Sequence, residues 1–237
     1  DINKNGDEAA ICYGRGPLIK EEKIYKFGLD WETKTHALLA RVTGLNGCFS
    51  FFSTRRLIKF IDEFKPDIVH IHELHAYFVN IATVIKHLKK MSMPIVWTFH
   101  CSFMYTGKCG YEGDCERFKN NCGNCPHLHD YPKSLFLDFT RYMLKQKKRL
   151  LSDYNNLILV APSHWLANKI RESFLKDKPI KVIHNGVDTS VFYYRGETTL
   201  KEKLGVKEGS IVLSVAPEIL SNPRKGGTWV LKLAEDM

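Results

Sequence analysis

Apolar residues return at three- and four-residue steps through 54–64, where Leu57, Ile58, Ile61 and Phe64 share one face, and this spacing predicts an amphipathic helix. Lys65-Pro66-Asp67 ends it, because proline has no N–H to give and disfavours helical geometry in the residue before it. Short apolar, β-branched runs at 67–72 and 94–99 read as buried strands on either side of a helix over 77–90. The scheme repeats as a helix over 134–151, a strand at 157–161, a helix over 165–174 and a strand at 180–183. Strands joined through helices lie parallel, and right-handed crossovers then make a doubly wound α/β sheet the default. Residues 8–16 read as a strand running into a glycine turn, whereas 17–53 show no legible period. A polar stretch, Tyr194-Arg195-Gly196-Glu197-Thr198-Thr199, precedes a new strand at 210–216 and a helix starting near Gly227. The expected organisation is a first domain over 1–193 and the beginning of a second over 194–237, which is too short to fold unaided and reads as truncated.

The 237 residues carry 35 Lys and Arg against 26 Asp and Glu, a formal charge of +9 that favours phosphorylated small molecules, anionic lipid or nucleic acid as partners. No apolar run approaches the 18 or so residues of a membrane span, and the opening Asp1-Ile2-Asn3-Lys4-Asn5-Gly6 has no signal-peptide character, so a soluble, cytoplasmic protein is expected. Five of the seven cysteines fall between Cys101 and Cys125, which points to a local thiol site rather than a disulfide framework.

In a parallel sheet, ligands sit beyond the carboxyl ends of the strands. Three such places are polar here: His72-Glu73-Leu74-His75 with Tyr77 just after it, His100, and His184-Asn185-Gly186-Val187-Asp188. Imidazoles there can exchange protons near neutral pH and bond to hydroxyl-rich or phosphorylated ligands; the plain alternative is that each satisfies a loop carbonyl. Asn185-Gly186 also suits a positive-φ turn, with Asp188 capping the next segment. Ser221-Asn222-Pro223-Arg224-Lys225-Gly226-Gly227 sets two cations and a glycine pair before a helix, an arrangement that binds phosphate or is simply an exposed basic turn.

Taken in order, Pro66-Asp67-Ile68-Val69-His70-Ile71-His72, Pro94-Ile95-Val96-Trp97-Thr98-Phe99-His100, Ala161-Pro162-Ser163-His164-Trp165-Leu166, Val182-Ile183-His184-Asn185-Gly186-Val187-Asp188 with Phe192, and Arg224-Lys225-Gly226 resemble the family 4 glycosyltransferases. The likeness is greatest to bacterial members that build capsular and colanic-acid-type polysaccharides. It implies a GT-B fold, with a Rossmann-like acceptor-side domain facing a Rossmann-like domain that takes a UDP- or GDP-sugar donor. It further implies a retaining hexosyl transfer to a glycan or lipid-linked glycan, with no catalytic metal. On this resemblance His100 is the catalytic histidine, and Glu73, His75 and Tyr77 face the acceptor. Lys225, Arg224, Asn185 and Gly186 hold the donor, where fixed cations offset the charge that builds on a departing nucleoside diphosphate. Ala216-Pro217-Glu218 stands where the family often has a Gly-Arg pair, so the arginine role falls to Arg224. The glutamates that hold the donor lie, in the family, beyond Met237, so these 237 residues alone are expected to have little transferase activity.

The Cys-rich insertion spans 101–130. Cys122 and Cys125 have the two-residue gap of a zinc knuckle, and Cys109 and Cys115, or His127 or His129 in place of one thiol, complete a tetrahedral set in a loop poor in core-forming residues. Disulfides and plain reduced cysteines are the other two readings. The basic helix around Arg141–Leu151 reads as a solvated face, or alternatively as a peripheral contact with an anionic membrane. A zinc-containing nucleic-acid-binding module is the rival from another class; the spread of basic residues along the chain argues against a nucleic-acid partner. A non-catalytic GT-B partner subunit is the third reading.

Overall fold

The computed structural model describes residues 2–3, 10–11, 24–194, 200–206 and 225–236. Two compact units divide the chain, Asp1–Gly186 and Val187–Met237. Among the described residues the strands are β1 (Ile2–Asn3), β2 (Ala10–Ile11), β3 (Ile24–Tyr25), β4 (Pro66–Ile71), β5 (Ile95–Thr98), β6 (Leu157–Ala161) and β7 (Ile180–Val182). The helices are α1 (Asp30–Thr43), α2 (Phe51–Phe64), α3 (Ile81–Lys90), α4 (Thr140–Leu151), α5 (His164–Arg171), α6 (Leu200–Lys203) and α7 (Gly227–Glu235).

The first unit is an α/β fold on a sheet ordered β1-β4-β5-β6-β7, with β1 antiparallel to β4 and the other four strands parallel. β2 and β3 form a separate parallel pair. Trp97 lies opposite both Ile71 and Leu159, and Ala161 opposite Val182, so the carboxyl ends of β4 to β7 share one edge of the sheet. The interior is built from Val69, Ile71, Ile95, Trp97, Leu157 and Leu159 of the strands against Val84, Ile85 and Leu88 of α3, Leu144 and Leu151 of α4 and Leu166 and Ile170 of α5. Burying each such side chain contributes about 1.5–3 kcal/mol.

Local chemistry sets the helix boundaries. α2 ends at Lys65, which takes φ 52° ahead of Pro66. α3 starts at Ile81 rather than near Tyr77, because Asn80 extends and its side chain accepts bonds from the Thr83 N–H and hydroxyl at 3.0 and 2.9 Å. α4 starts at Thr140 rather than near Ser134, since Asp138 Oδ1 accepts from the Thr140 N–H at 2.9 Å and its hydroxyl at 2.6 Å.

α1 occupies part of the stretch whose pattern is illegible, and it inverts the usual rule. It buries Glu32, His36 and Ala40 while Trp31, Leu38 and Leu39 are exposed. The Glu32 carboxylate accepts from the backbone N–H groups of Phe52 and Ser53 at 2.8 and 2.7 Å and from the Ser53 hydroxyl at 2.6 Å, thereby capping the N-terminus of α2 from outside. His36 Nε2 accepts from the Gly47 N–H at 3.1 Å, so its Nδ1 carries the proton toward Ser50 Oγ, 2.7 Å away, and Ser50 donates to the Tyr77 carbonyl at 2.8 Å. Burial pushes the His36 imidazolium down to a pKa of about 4, so the ring is neutral.

The insertion corrects the expectation of a core-poor loop: Phe103, Met104, Tyr105 and Phe118 all join the main core. Within it, Glu112 is buried against the hydroxyls of Ser102 and Tyr105. In the second unit α7 begins at Gly227, as the pattern predicts, while the strand expected over 210–216 lies outside the described residues.

Candidate active site at the carboxyl edge of the sheet

Two loops at the shared strand edge carry the cluster, 72–80 after β4 and 99–107 after β5. Glu73 is its hub. One carboxylate oxygen accepts from the His100 backbone N–H at 3.2 Å, and the other accepts from the Cys101 thiol at 3.5 Å. His75 Nδ1 lies 2.5 Å from that second oxygen. Burial raises the Glu73 carboxyl, but the contacts from His75, Cys101 and the His100 N–H outweigh it and hold the group below its ordinary range. Glu73, His75 and Cys101 each offer a ligand atom within 4.8 Å of the others. Burial, reinforced by the Glu73 charge, pushes the Cys101 thiol up to about 12, so at neutral pH the sulfur is a hydrogen-bond donor rather than a thiolate.

Beside the hub stands a column of imidazoles. His72 Nδ1 and His100 Nε2 are 2.9 Å apart with their rings stacked at 5.2 Å, and the His70 ring lies 4.4 Å from His72. His70 Nε2 is 2.8 Å from Thr98 Oγ1 on the next strand. Desolvation foremost, with repulsion from neighbouring imidazoles adding to it, depresses the pKa of His70 and His72 and favours neutral rings. His100 is exposed, so its imidazole can meet a ligand hydroxyl with His72 in hydrogen-bond reach behind it.

His75 is buried, with Phe103 stacked on it at 4.9 Å and Tyr131 edge-on at 6.2 Å. Tyr77 takes φ 66°, lies edge-on to His36 at 5.7 Å and is half-buried. Burial, followed by the fields of Tyr77, Cys101 and Glu73, raises the Tyr131 phenol, which places these four groups in one electrostatic neighbourhood. The catalytic candidate His100 and the acceptor candidates Glu73, His75 and Tyr77 all lie on these two loops.

The chain matches the model of Glycosyltransferase Family 4 over residues 4–191. It belongs to that family. It is also 28% identical over 130 residues to the putative colanic acid biosynthesis glycosyl transferase WcaC of Escherichia coli K12, a match covering 52% of this chain and 32% of that relative. The chain thus matches about a third of the relative's length. The α/β unit with its parallel sheet is the Rossmann-like architecture of a GT-B N-terminal domain.

The donor-side candidates fare differently. Asn185 and Gly186 are exposed beyond β7, and neither takes the left-handed φ expected of an Asn-Gly turn; a Cβ at Gly186 would meet nothing within 4 Å. His184 Nδ1 instead contacts the Pro162 carbonyl at 2.9 Å. Asp188 does cap, accepting from the Ser190 N–H at 2.9 Å and hydroxyl at 2.6 Å. Lys225, in the second unit, is exposed just before Gly226, which takes φ 78° at the start of α7; Arg224 lies outside the described residues.

Lys147 is the residue that sequence reasoning misplaced. Arg141, Lys145, Lys148 and Arg149 are exposed as a solvated face requires, but Lys147 turns inward among the apolar residues of α4. Its ammonium donates to the carbonyls of Phe103, Thr106 and Gly107, the last two at 3.0 and 3.3 Å, and sits 3.5 Å over the Phe103 ring. Burial lowers its pKa to about 7. Phe103 in turn stacks on His75, so Lys147 supports the loop that packs against that imidazole. Its place in a helix that sets Met143, Leu144, Lys147, Leu150 and Leu151 on one face was the available signal.

Proposed function

We propose that this chain forms the acceptor-side part of a retaining glycosyltransferase that moves a hexose from a UDP- or GDP-sugar to a glycan or lipid-linked glycan during assembly of a bacterial surface polysaccharide. Membership of the family supports the transferase reading, and similarity to a putative colanic acid biosynthesis enzyme supports the polysaccharide. The observation that carries the site is the meeting of His72 and His100 at 2.9 Å on the ligand-facing edge, with Glu73 bonded to the His100 backbone.

On this reading His100 is the catalytic residue. Its ring bonds to a hydroxyl of the transferring sugar or acceptor and keeps it aligned, with His72 fixing the ring and its tautomer. Glu73 sets the loop that presents His100, and His75, Tyr77 and Tyr131 shape the acceptor wall. Lys225 and Arg224 supply positive charge for the departing nucleoside diphosphate. The protein carrying this chain is tested with a panel of UDP- and GDP-sugars and lipid-linked acceptors, read by release of nucleoside diphosphate. His100→Ala is expected to lower kcat about 100-fold or more with a small change in donor affinity, as loss of a transition-state contact requires. Unchanged turnover in that variant overturns the assignment.

A further inference from the structure

Away from the imidazole column, Cys109, Cys115, Cys122 and Cys125 line one cavity of about 10 Å³, room for a single small sphere. Of the alternative ligands by sequence, His127 Nδ1 meets Asp130 at 2.8 Å and His129 Nδ1 the Ser134 carbonyl at 3.1 Å, and neither residue lines the cavity. The sulfurs stand wider than in a closed site, since among the described residues the set with all ligand atoms within 4.8 Å is Glu73, His75 and Cys101. A tetrahedral centre with bonds of about 2.3 Å draws them inward.

Three independent features point to an ion in that cavity. First, the turn between Cys122 and Cys125 is already shaped: Gly123 and Asn124 take φ 131° and 46°, and Arg117 clamps their two carbonyls, each at 2.7 Å. Arg141 Nε donates to the Cys122 carbonyl at 3.3 Å, and Asp138 Oδ2 accepts from the Cys125 N–H at 2.7 Å, so both ends of the turn are pinned. The turn so fixed leaves Cys122 and Cys125 both lining the cavity.

Second, Lys108 lines the same cavity as the four cysteines and is buried, its ammonium bonded to the carbonyls of Asp130 at 2.9 Å and Pro132 at 2.5 Å, so a cation stands against a site that four thiolates on a divalent ion would leave negatively charged. Third, the competing ligand Glu112 is spoken for by Ser102 and Tyr105, so the cavity's donors are sulfur, which selects zinc over calcium or magnesium.

We propose that Cys109, Cys115, Cys122 and Cys125 bind one structural zinc ion, releasing their four thiol protons to solvent, and that the metal anchors the insertion whose other end carries Phe103 to His75. The site is distinct from the transferase chemistry and stands whether or not that reading holds. The test uses the whole chain, purified and assayed for metal by mass spectrometry, then loaded with cobalt(II). About one zinc per chain is expected, with the visible bands and sulfur-to-metal charge transfer of tetrahedral cobalt on four thiolates. Cys122→Ser and Cys125→Ser should lose the metal, while Cys101→Ser keeps it. Chelation should lower the Tm, and added zinc should restore it. Metal lost in Cys101→Ser but kept in Cys122→Ser transfers the site to Glu73, His75 and Cys101 and overturns the proposal. So does wild-type protein that takes up no zinc or cobalt, with its cysteines titrating as free thiols or found as disulfides by mass. Should the serine variants fail to fold, the cobalt spectrum of the wild type decides.

Discussion

The sheet and the shell around its carboxyl edge are held by different physics. Between β4 and β7 the contacts are apolar: Trp97, Leu157, Leu159 and Ile95 are almost wholly buried, and helices α3, α4 and α5 press Leu and Ile against them. Around the edge, buried polar groups do the holding. Glu32 caps α2, His36 ties Gly47 to Ser50, Lys147 gathers three carbonyls and Glu73 joins two loops. The first kind of contact is non-directional and tolerates small shifts, whereas the second fixes angles and tautomers and fails when one partner is lost. The site is built on the second kind, as positioning of reacting groups requires.

That contrast can be broken from either side. Trp97→Ala opens a cavity in the sheet core and should cost about 4 kcal/mol in urea unfolding, the largest single loss, while Trp97→Phe, which removes the bond to the His72 carbonyl, should cost about 1 kcal/mol. Acid should act on the shell. The folded His36 pKa of about 4 lies below the ordinary 6.5, so the unfolded chain takes up the proton first. Stability from this group is then complete above pH 6.5 and falls by about 3 kcal/mol as the pH drops to 4. The depressed His70 and His72 act in the same direction, so His36→Gln should flatten the larger part of the slope rather than all of it. An unchanged slope in that variant removes His36 as the cause. Lys147→Met keeps the apolar stem but leaves the carbonyls of Phe103, Thr106 and Gly107 without their donor, and should cost about 2 kcal/mol. A cost near zero would show that those carbonyls find other partners.

The same contrast explains what could be read from the chain. Hydrophobic spacing gave the parallel strands to about one residue and the α2, α3 and α5 helices to about four at their ends, because burial of apolar side chains leaves a periodic trace. It was silent on α1, where Glu32, His36 and Ala40 face inward and Trp31, Leu38 and Leu39 face outward, a pattern that reverses the trace. His100, Glu73 and His75 were visible as polar residues after strands, but their partners were not. His72 with His100 and Glu73 with Cys101 are each 28 residues apart, and only the register of β4 against β5 joins them. Lys147 was hidden for the opposite reason, as one cation in a run of five along a helix.

Glu73 grips the main chain of residue 100, not its side chain. The socket therefore keeps its form whatever it displays, and the imidazole is an exchangeable fitting on a fixed mount. Under the proposed function, swapping it for asparagine or glutamine would retune what is presented to an incoming hydroxyl without rebuilding the mount.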